Sequence, residues 1–299
     1  MPSDAITLKL SYHEPYDAAA VWRYLRARAV PGLEQLTGSI YRRAVWLPHG
    51  PGVIELTPAD GHIRAAFRLA DRRDLDAAVA RCRRLLDLDA DPVAVVDTLG
   101  ADPLLGPLVQ ARPGLRVPGS VDPFETAIRA IVGQQISVSA ARTIAGRMVT
   151  SYGIPLPVPV DGVTHTFPSP QTLAEVTQLP MPQARIRTIS TVAAAAASGA
   201  VDLEFGADWT GSVPTLLELP GIGPWTASYV ALRGLGDPDA FPGTDLGIRY
   251  ALVELGVPDH RGTIAKLAER WRPLRSYAAQ HLWTSLGDRP VEPKVDPHS

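Results

Sequence analysis

The most specific pattern in this sequence is the run LPGIGPWTA at residues 219–227. Gly221 and Gly223 are separated by one apolar residue, and the stretch after them is typical of a helix start. Backbone N–H groups at such a turn can point in one direction and hold a phosphate oxygen. The run predicts two helices joined by a phosphate-binding hairpin, with Leu219, Gly221, Gly223 and Thr226 as candidate contact residues.

A carboxylate follows the hairpin after about 20 residues. Asp245 comes directly after a Pro-Gly loop and stands at the entry to a predicted helix. An aspartate in this position often does no more than cap the helix, and that interpretation stays open. A carboxylate held there could also stabilise positive charge that develops on a substrate.

Three aromatic residues and two glutamines complete the set of candidate site residues. Trp225 and Tyr229 are four residues apart on the helix after the hairpin, so they share one face. Together with Trp283 they could bind a flat cationic group, and the alternative is that they are plain core aromatics. Gln134 and Gln135 form a polar break between two predicted helices, where an ordinary loop is the alternative interpretation.

The elements that position these residues begin with a predicted α+β domain over residues 1–90. Alternating apolar and polar positions, separated by Gly-Pro-Gly and Asp-Gly turn signals, indicate an antiparallel sheet. The predicted strands cover 5–11, 38–47, 52–57 and 62–69, and the predicted helices cover 17–30 and 71–88.

The strand signal disappears after residue 90, which predicts a mainly α fold for the rest of the chain. Residues 91–117 are a helical connector, and residues 118–290 are an all-α body. A capped start at Asp122 opens the first body helix, which is expected to end at Gly133. The other predictions are helices from Ser137 to Val149 and over 171–178, 182–198 and 213–219, a long proline-rich loop over 153–170, and a polar tail over 291–299.

Composition excludes several classes of protein. The 299 residues are 45% hydrophobic, but no run approaches the roughly 18 apolar residues that a membrane span needs. The single cysteine, Cys82, excludes an internal disulfide and a four-thiolate cluster. The net charge of −2 argues against a protein that coats nucleic acid without specificity. No metal-ligand spacing appears among the side chains, and we expect a cytoplasmic monomer.

The pairing of the hairpin with the Pro-Gly-Thr-Asp loop resembles the helix–hairpin–helix DNA glycosylase superfamily. Within it the chain is most similar to the 3-methyladenine DNA glycosylase II (AlkA) type. The matching stretches are 124–134, 167–171, 219–234, Asp245 and 271–283, and the N-terminal α+β region also fits. The resemblance implies a base-excision repair enzyme that flips alkylated bases, of the 3-methyladenine and 7-methylguanine class, out of double-stranded DNA and releases them by hydrolysis.

The resemblance also assigns roles to the candidate residues. Asp245 would stabilise an oxocarbenium-like sugar, while Trp225, Tyr229 and Trp283 would hold the flipped base. Gln135 would fill the gap left in the duplex, although the best-known member of the type has an apolar residue at that position. No cofactor is implied, except a Na+ or K+ ion that bridges the hairpin carbonyls to a DNA phosphate. Those carbonyls lie near Leu219 and Ile222.

A lysine that follows the hairpin forms a Schiff base with the sugar in related enzymes that also nick the strand. Trp225 occupies that position here. The lysines of this chain lie outside the hairpin and the aspartate loop: Lys9, Lys266 and Lys294. We therefore expect no AP lyase activity.

Three alternatives remain at this point. The chain could be a helix–hairpin–helix module that grips DNA without chemistry, a glycosylase for mismatched or oxidised bases, or a hydrolase of free nucleosides. The phosphate-binding hairpin argues against the last of these. The expected role of residues 1–110 is that of a scaffold.

Overall fold

The computed structural model describes residues 5–287, so the predicted polar tail lies outside the described residues. The N-terminal part is a five-stranded antiparallel sheet in the order β1-β5-β4-β3-β2. Its strands are β1 (Ile6–Ser11), β2 (Glu34–Thr37), β3 (Ile40–Leu47), β4 (Gly50–Ala59) and β5 (His62–Leu69).

Two helices, α1 (Ala18–Arg28) and α2 (Leu75–Leu86), pack on this sheet. The alternation of the strands directs Tyr41, Ile54 and Phe67 into one apolar core with Val21 of α1 and Leu85 of α2. The short strand β2 was not predicted, because its four residues, EQLT, carry no clear apolar alternation.

The rest of the described chain is mostly helical, which confirms the predicted mainly α fold with an N-terminal antiparallel sheet. The helices are α3 (Pro92–Leu99), α4 (Gly106–Ala111), α5 (Pro123–Val132), α6 (Val138–Tyr152), α7 (Pro170–Ala174), α8 (Gln183–Ala197), α9 (Trp209–Glu218), α10 (Pro224–Val230), α11 (Leu246–Glu254), α12 (Arg261–Ala268) and α13 (Arg275–Ser285). A π-helical turn, Ala231–Leu235, follows α10 directly. Within residues 5–287, none of these helices is long and apolar enough to span a lipid bilayer.

One part of the body departs from the all-α prediction. The expected long loop over 153–170 contains a two-stranded hairpin of β6 (Pro155–Val160) and β7 (Val163–His165). Asp161 and Gly162 form its turn with φ values of 43° and 84°, a geometry that suits the twist of two paired strands. The prolines that suggested a loop are tolerated because the two strands pair only at their ends.

The apolar cores extend across the predicted domain boundaries. Val30 and Val53 of the N-terminal part share a core with Ile128 and Met148 of the body. Leu99 of the connector likewise packs with residues of the C-terminal helices. The sheet therefore packs against the helical body through a shared core. The domain boundaries at residues 90 and 117 stay a prediction.

Candidate active site

The predicted hairpin joins α9 to α10. Gly221 has a φ of 86°, and a Cβ at this position would lie 2.1 Å from Oγ1 of Thr188. The backbone N–H of Ile222 donates to the carbonyl of Leu219 at 3.1 Å and closes the turn. Around Gly223, by contrast, a Cβ would meet no described atom within 4 Å. The fold thus requires glycine at position 221, whereas Gly223 leaves open space in which a ligand could approach the backbone.

Two of the predicted contact residues hold the hairpin in place from within. Thr226 is only 2% exposed. The side-chain amide of Gln134 donates to Oγ1 of Thr226 at 3.0 Å and to the carbonyl of Gly221 at 3.3 Å. The side chain of Thr226 is thus buried beneath the hairpin, and its contact with DNA stays a prediction. Gln134 ties the turn between α5 and α6 to the hairpin.

Asp245 lies at the N-terminus of α11 and is partly exposed. Its Oδ1 accepts a hydrogen bond from the backbone N–H of Ile248 at 3.1 Å, so it does cap the helix. The indole nitrogen of Trp225 donates to Oδ2 at 2.7 Å, and that of Trp283 donates to Oδ1 at 2.8 Å. Three helices thereby fix the orientation of one carboxylate.

The three predicted aromatic residues form one cluster beside this carboxylate. Trp225 and Tyr229 are stacked, with ring centroids 5.4 Å apart and an interplanar angle of 23°. Tyr229 and Trp283 meet edge to face at 6.4 Å. The sequence predicted aromatic walls here, but it did not reveal that both indole N–H groups bind Asp245.

A cavity of about 700 Å³ brings most of the predicted residues together. Its lining includes Asp245, the aromatic cluster and both glutamines, whereas Leu219 and Gly221 lie outside it. Gln135 is exposed at the turn between α5 and α6, with a left-handed φ of 57° that non-glycine residues seldom adopt. The cavity is large enough for a flat heterocycle, and the exposed Gln135 is part of its lining.

The N-terminal part lines this cavity as well, which goes beyond the expected scaffold role. Tyr24 and Arg28 of α1 and Glu34 and Arg43 of the sheet belong to the wall. Sequence reasoning missed these residues. The one available signal was the spacing of four between Tyr24 and Arg28, which places both on the same face of α1.

A buried cluster of ionised side chains joins the sheet to α5 in the cavity wall. Arg43 contacts Glu125 at 2.6 Å and Glu34 at 3.3 Å. Arg129 contacts Glu125 at 2.8 Å and Glu34 at 3.0 Å. Burial acts to raise the pKa of Glu34, but Arg129 and Arg43 outweigh it and hold the pKa below its usual value. The cluster therefore fixes the sheet against the helical body.

The described residues offer no side-chain metal centre. Within 5–287, no group of three or more His, Cys, Asp or Glu side chains could hold a metal ion. His281 is 3% exposed, and burial lowers its pKa to about 4. At neutral pH His281 is therefore an uncharged side chain buried in the C-terminal part of the body.

Comparison with known proteins places this site in context. Residues 7–122 match the family model described as the AlkA N-terminal domain. A "Probable bifunctional transcriptional activator/DNA repair enzyme AlkA" of Mycobacterium tuberculosis is 50% identical over 288 residues, which cover 96% of this chain and 58% of that protein. "DNA-3-methyladenine glycosylase 2" of Escherichia coli is 35% identical over 290 residues, which cover 95% of this chain and 99% of that protein.

A solved structure shows the same fold. The 3-methyladenine DNA glycosylase of Archaeoglobus fulgidus superposes with a TM-score of 0.79 at 21% sequence identity, covering 93% of this chain and 97% of that one. The chain spans 58% of the length of the mycobacterial relatives and nearly all of the Escherichia coli relative.

Proposed function

This chain belongs to the DNA-3-methyladenine glycosylase 2 family, and on that premise we propose that it is a base-excision repair glycosylase that releases alkylated bases from double-stranded DNA. The observation that carries the proposal is the carboxylate of Asp245, held by Trp225 and Trp283 at a cavity with aromatic walls. The substrates are of the 3-methyladenine and 7-methylguanine class.

Asp245 acts on the sugar. The damaged nucleotide rotates out of the duplex into the cavity, and cleavage of its N-glycosidic bond leaves positive charge at C1′. A carboxylate about 4 Å away, at an effective dielectric constant near 20, stabilises that charge by roughly 4 kcal/mol. Because three donors already fix both carboxylate oxygens, Asp245 need not reorient as the charge develops. An alkylated purine is already cationic and leaves as a neutral base, so the reaction needs no strong general acid.

The aromatic cluster binds the base. Tyr229 and the two tryptophans offer electron-rich faces to a flat cation, and each such contact is worth about 0.5–2 kcal/mol. These contacts are weaker than the effect of Asp245. They therefore set substrate choice more than rate.

The hairpin and the glutamine turn bind the DNA. Gly223 leaves room for a phosphate at the start of α10, and Gln135 enters the gap that the flipped nucleotide leaves. Leu219 and Gly221 shape the turn. We expect Gln135→Gly to slow release by roughly tenfold, since the gap would then be unfilled. Base release by this variant at the parent rate would show that Gln135 does not fill the gap.

The residues of the hairpin also fit a Na+ or K+ ion that would add positive charge between the turn and a phosphate. The carbonyl of Leu219 accepts one hydrogen bond, from Ile222, and retains a second lone pair for a cation. Binding of a methylated duplex should weaken when K+ is exchanged for tetramethylammonium at constant ionic strength. Equal affinity in both salts would exclude the ion.

We propose a monofunctional enzyme without AP lyase activity. Among the described residues, no lysine lines the cavity, and Lys9 and Lys266 are both exposed elsewhere; Lys294 lies outside the described residues. Borohydride reduction of a reaction mixture with a damaged duplex should therefore leave no covalent protein–DNA adduct. A trapped adduct would overturn this part of the proposal.

One experiment separates the proposed activity from its alternatives. The protein is incubated with methylated duplex DNA, with a duplex that contains an oxidised base, and with free methylated nucleosides, and the released bases are resolved by chromatography. We expect 3-methyladenine and 7-methylguanine from the methylated duplex alone. A DNA-binding module would release nothing, and a nucleoside hydrolase would act on the free nucleosides. We further propose that the chain works as a monomer in the cytoplasm. Sedimentation of the protein would test the monomeric state.

A further inference from the structure

A buried arginine lies behind the aromatic cluster. Arg233 belongs to the π-helical turn after α10, whose five residues are all buried, and Arg233 itself is 3% exposed. One of its terminal nitrogens donates to the carbonyl of Pro118 at 2.8 Å, and the other donates to Oε1 of Gln280 at 2.7 Å. Because a guanidinium is planar, two bonds to fixed acceptors set the plane of the whole group.

This fixed guanidinium lies over the faces of two aromatic rings. Its carbon is 5.0 Å from the centroid of the Trp283 ring and 4.7 Å from that of the Tyr24 ring. A cation is attracted to the electron-rich face of such a ring, and the attraction grows where water is excluded. Arg233 therefore joins α13, which carries Trp283, to α1, which carries Tyr24.

The contacts of Trp283 leave little room for its ring to turn. A Cβ at Gly247 would lie 3.1 Å from Cδ1 of Trp283, so the ring packs closely on the start of α11. Gln280, which accepts from Arg233, also donates to Oγ1 of Thr284 at 3.2 Å on the same helix. A rotation of the ring would carry its indole nitrogen away from Asp245, and the guanidinium over the ring face opposes that rotation.

Tyr24 brings the N-terminal part into the same arrangement. Burial acts to raise the pKa of Tyr24, but the charges of Arg233 and Arg28 outweigh it and lower the pKa. A hydrogen bond with Tyr229 adds to this lowering. Tyr229 in turn meets Trp283 edge to face. Tyr24 is thus linked to Trp283 both through Arg233 and through Tyr229.

We propose that Arg233 is a positioning residue for base release, because it holds the Trp283 ring so that the indole N–H stays directed at Asp245. This inference rests on the proposed glycosylase activity. The indole N–H of Trp283 is one of the three donors that orient the carboxylate, and a carboxylate that can turn stabilises developing charge less. The effect of Arg233 therefore falls on the rate of bond cleavage and not on the affinity for DNA.

The first test replaces the planar group and keeps the charge. Lysine cannot donate to both acceptors of Arg233 in the same fixed geometry. Release of 7-methylguanine from a duplex is measured in a single turnover at saturating protein, and duplex affinity is measured separately. We expect Arg233→Lys to slow release roughly tenfold and to leave the affinity within about twofold of the parent value.

A second buried arginine provides the matched control. Arg116 is 1% exposed, its guanidinium carbon lies 5.0 Å from the centroid of the Tyr16 ring, and it donates to the backbone carbonyl of Gly114 at 3.2 Å. It does not line the cavity. Arg116→Lys should lower the melting temperature, as Arg233→Lys does, but the folded variant should release the base at the parent rate.

The decisive test repeats the substitution in the Trp283→Phe background, which has no indole N–H to position. There Arg233→Lys should slow release by less than about twofold, since two residues that act through one contact are not additive. Tenfold slowing in both backgrounds would mean that Arg233 does not act through Trp283 and would overturn the inference. So would release by the single variant at the parent rate.

A milder pair of variants keeps the inference testable where Arg233→Lys does not fold. Tyr24→Leu withdraws one of the two rings from Arg233, whereas Tyr24→Phe keeps it. The leucine variant should then be slowed several-fold relative to the phenylalanine variant, and only where Trp283 is present. Equal release by the two variants would overturn the inference. A parent protein that releases no methylated base would instead overturn the proposed glycosylase function itself.

Discussion

The indole nitrogen of Trp283 donates a 2.8 Å hydrogen bond to Oδ1 of Asp245, across 38 residues of sequence. The indole nitrogen of Trp225, which lies on α10, donates to the other carboxylate oxygen, Oδ2. The two tryptophans therefore both shape the cavity and orient the carboxylate. Under the proposed function, binding and catalysis share these residues, so substitutions must be chosen to separate the two.

Asp245→Asn should abolish most of the activity without unfolding the chain. Asparagine also caps helices well, so α11 keeps its first turn. Loss of a charge worth roughly 4 kcal/mol at the sugar predicts a fall in single-turnover release of about a thousandfold. Thermal melting and duplex affinity serve as controls and should stay close to the parent values. Release of methylated purines at the parent rate would refute the assignment.

Trp283→Phe should separate the ring from the hydrogen bond. Phenylalanine keeps an aromatic wall next to Tyr229 but cannot donate to Asp245, whose carboxylate then loses one of its three donors. We expect release to slow by roughly tenfold, with a smaller change in duplex affinity, because a poorly oriented charge stabilises the transition state less. A loss confined to binding would mean that the hydrogen bond has no catalytic role.

The two hairpin glycines should respond to alanine in different ways. Gly221→Ala places a Cβ against Thr188 and forces a left-handed backbone, so it should lower the free energy of unfolding by about 2 kcal/mol or more. Gly223→Ala meets open space, so stability should change little while duplex affinity falls. Urea unfolding and fluorescence anisotropy measure the two effects. Equal destabilisation by both substitutions would contradict the different roles assigned to the glycines.

How far the sequence predicts this site depends on how local each interaction is. The hairpin and the cap at Asp245 are set by a few neighbouring residues, so their types and spacing suffice to predict them. Arg28 is separated from Asp245 by most of the chain, and its position depends on how α1 packs against the body. No local pattern carries that information.

The errors in the predicted fold also arise because a segment's pairing with a second segment is not visible in its own local pattern. The prolines between residues 153 and 170 predicted a loop because proline cannot donate to a sheet ladder. The turn at Asp161 nevertheless lets the two strands pair at their ends, and a bridge between Val163 and Gly32 holds the second strand against the N-terminal part. The pairing thus outweighed the local proline signal. β2 is likewise a strand mainly because β3, which is separated from β2 by only two residues, pairs with it.

Glu125→Gln should destabilise the whole protein. Glu125 is 3% exposed and pairs with both Arg43 and Arg129, which would then share only Glu34. Loss of one partner from a buried ionised cluster typically costs about 3–5 kcal/mol. The control is Glu55→Gln, which breaks a pair with Arg42 nearer the surface and should cost about 1 kcal/mol or less. Similar losses in urea unfolding would show that the buried cluster does not clamp the sheet to α5.

His281 should make stability depend on pH in a defined direction. Burial lowers its pKa from 6.5 to about 4, so the unfolded chain takes up a proton that the folded chain refuses. The stability that neutral His281 contributes is fully present above the pKa of the unfolded chain. It is lost as the pH falls from there towards the pKa of the folded chain. From about pH 7.5 to about pH 5 the loss should be about 2 kcal/mol.

The effect of His281 can be isolated by difference, because other groups titrate in the same range. Urea unfolding of the parent and of His281→Leu is measured at both pH values. Leucine removes the titration and fills the buried site with an apolar side chain. We expect the parent to lose about 2 kcal/mol more than the variant on acidification. An equal loss in both proteins would mean that His281 accepts a proton as readily in the folded chain as in the unfolded one.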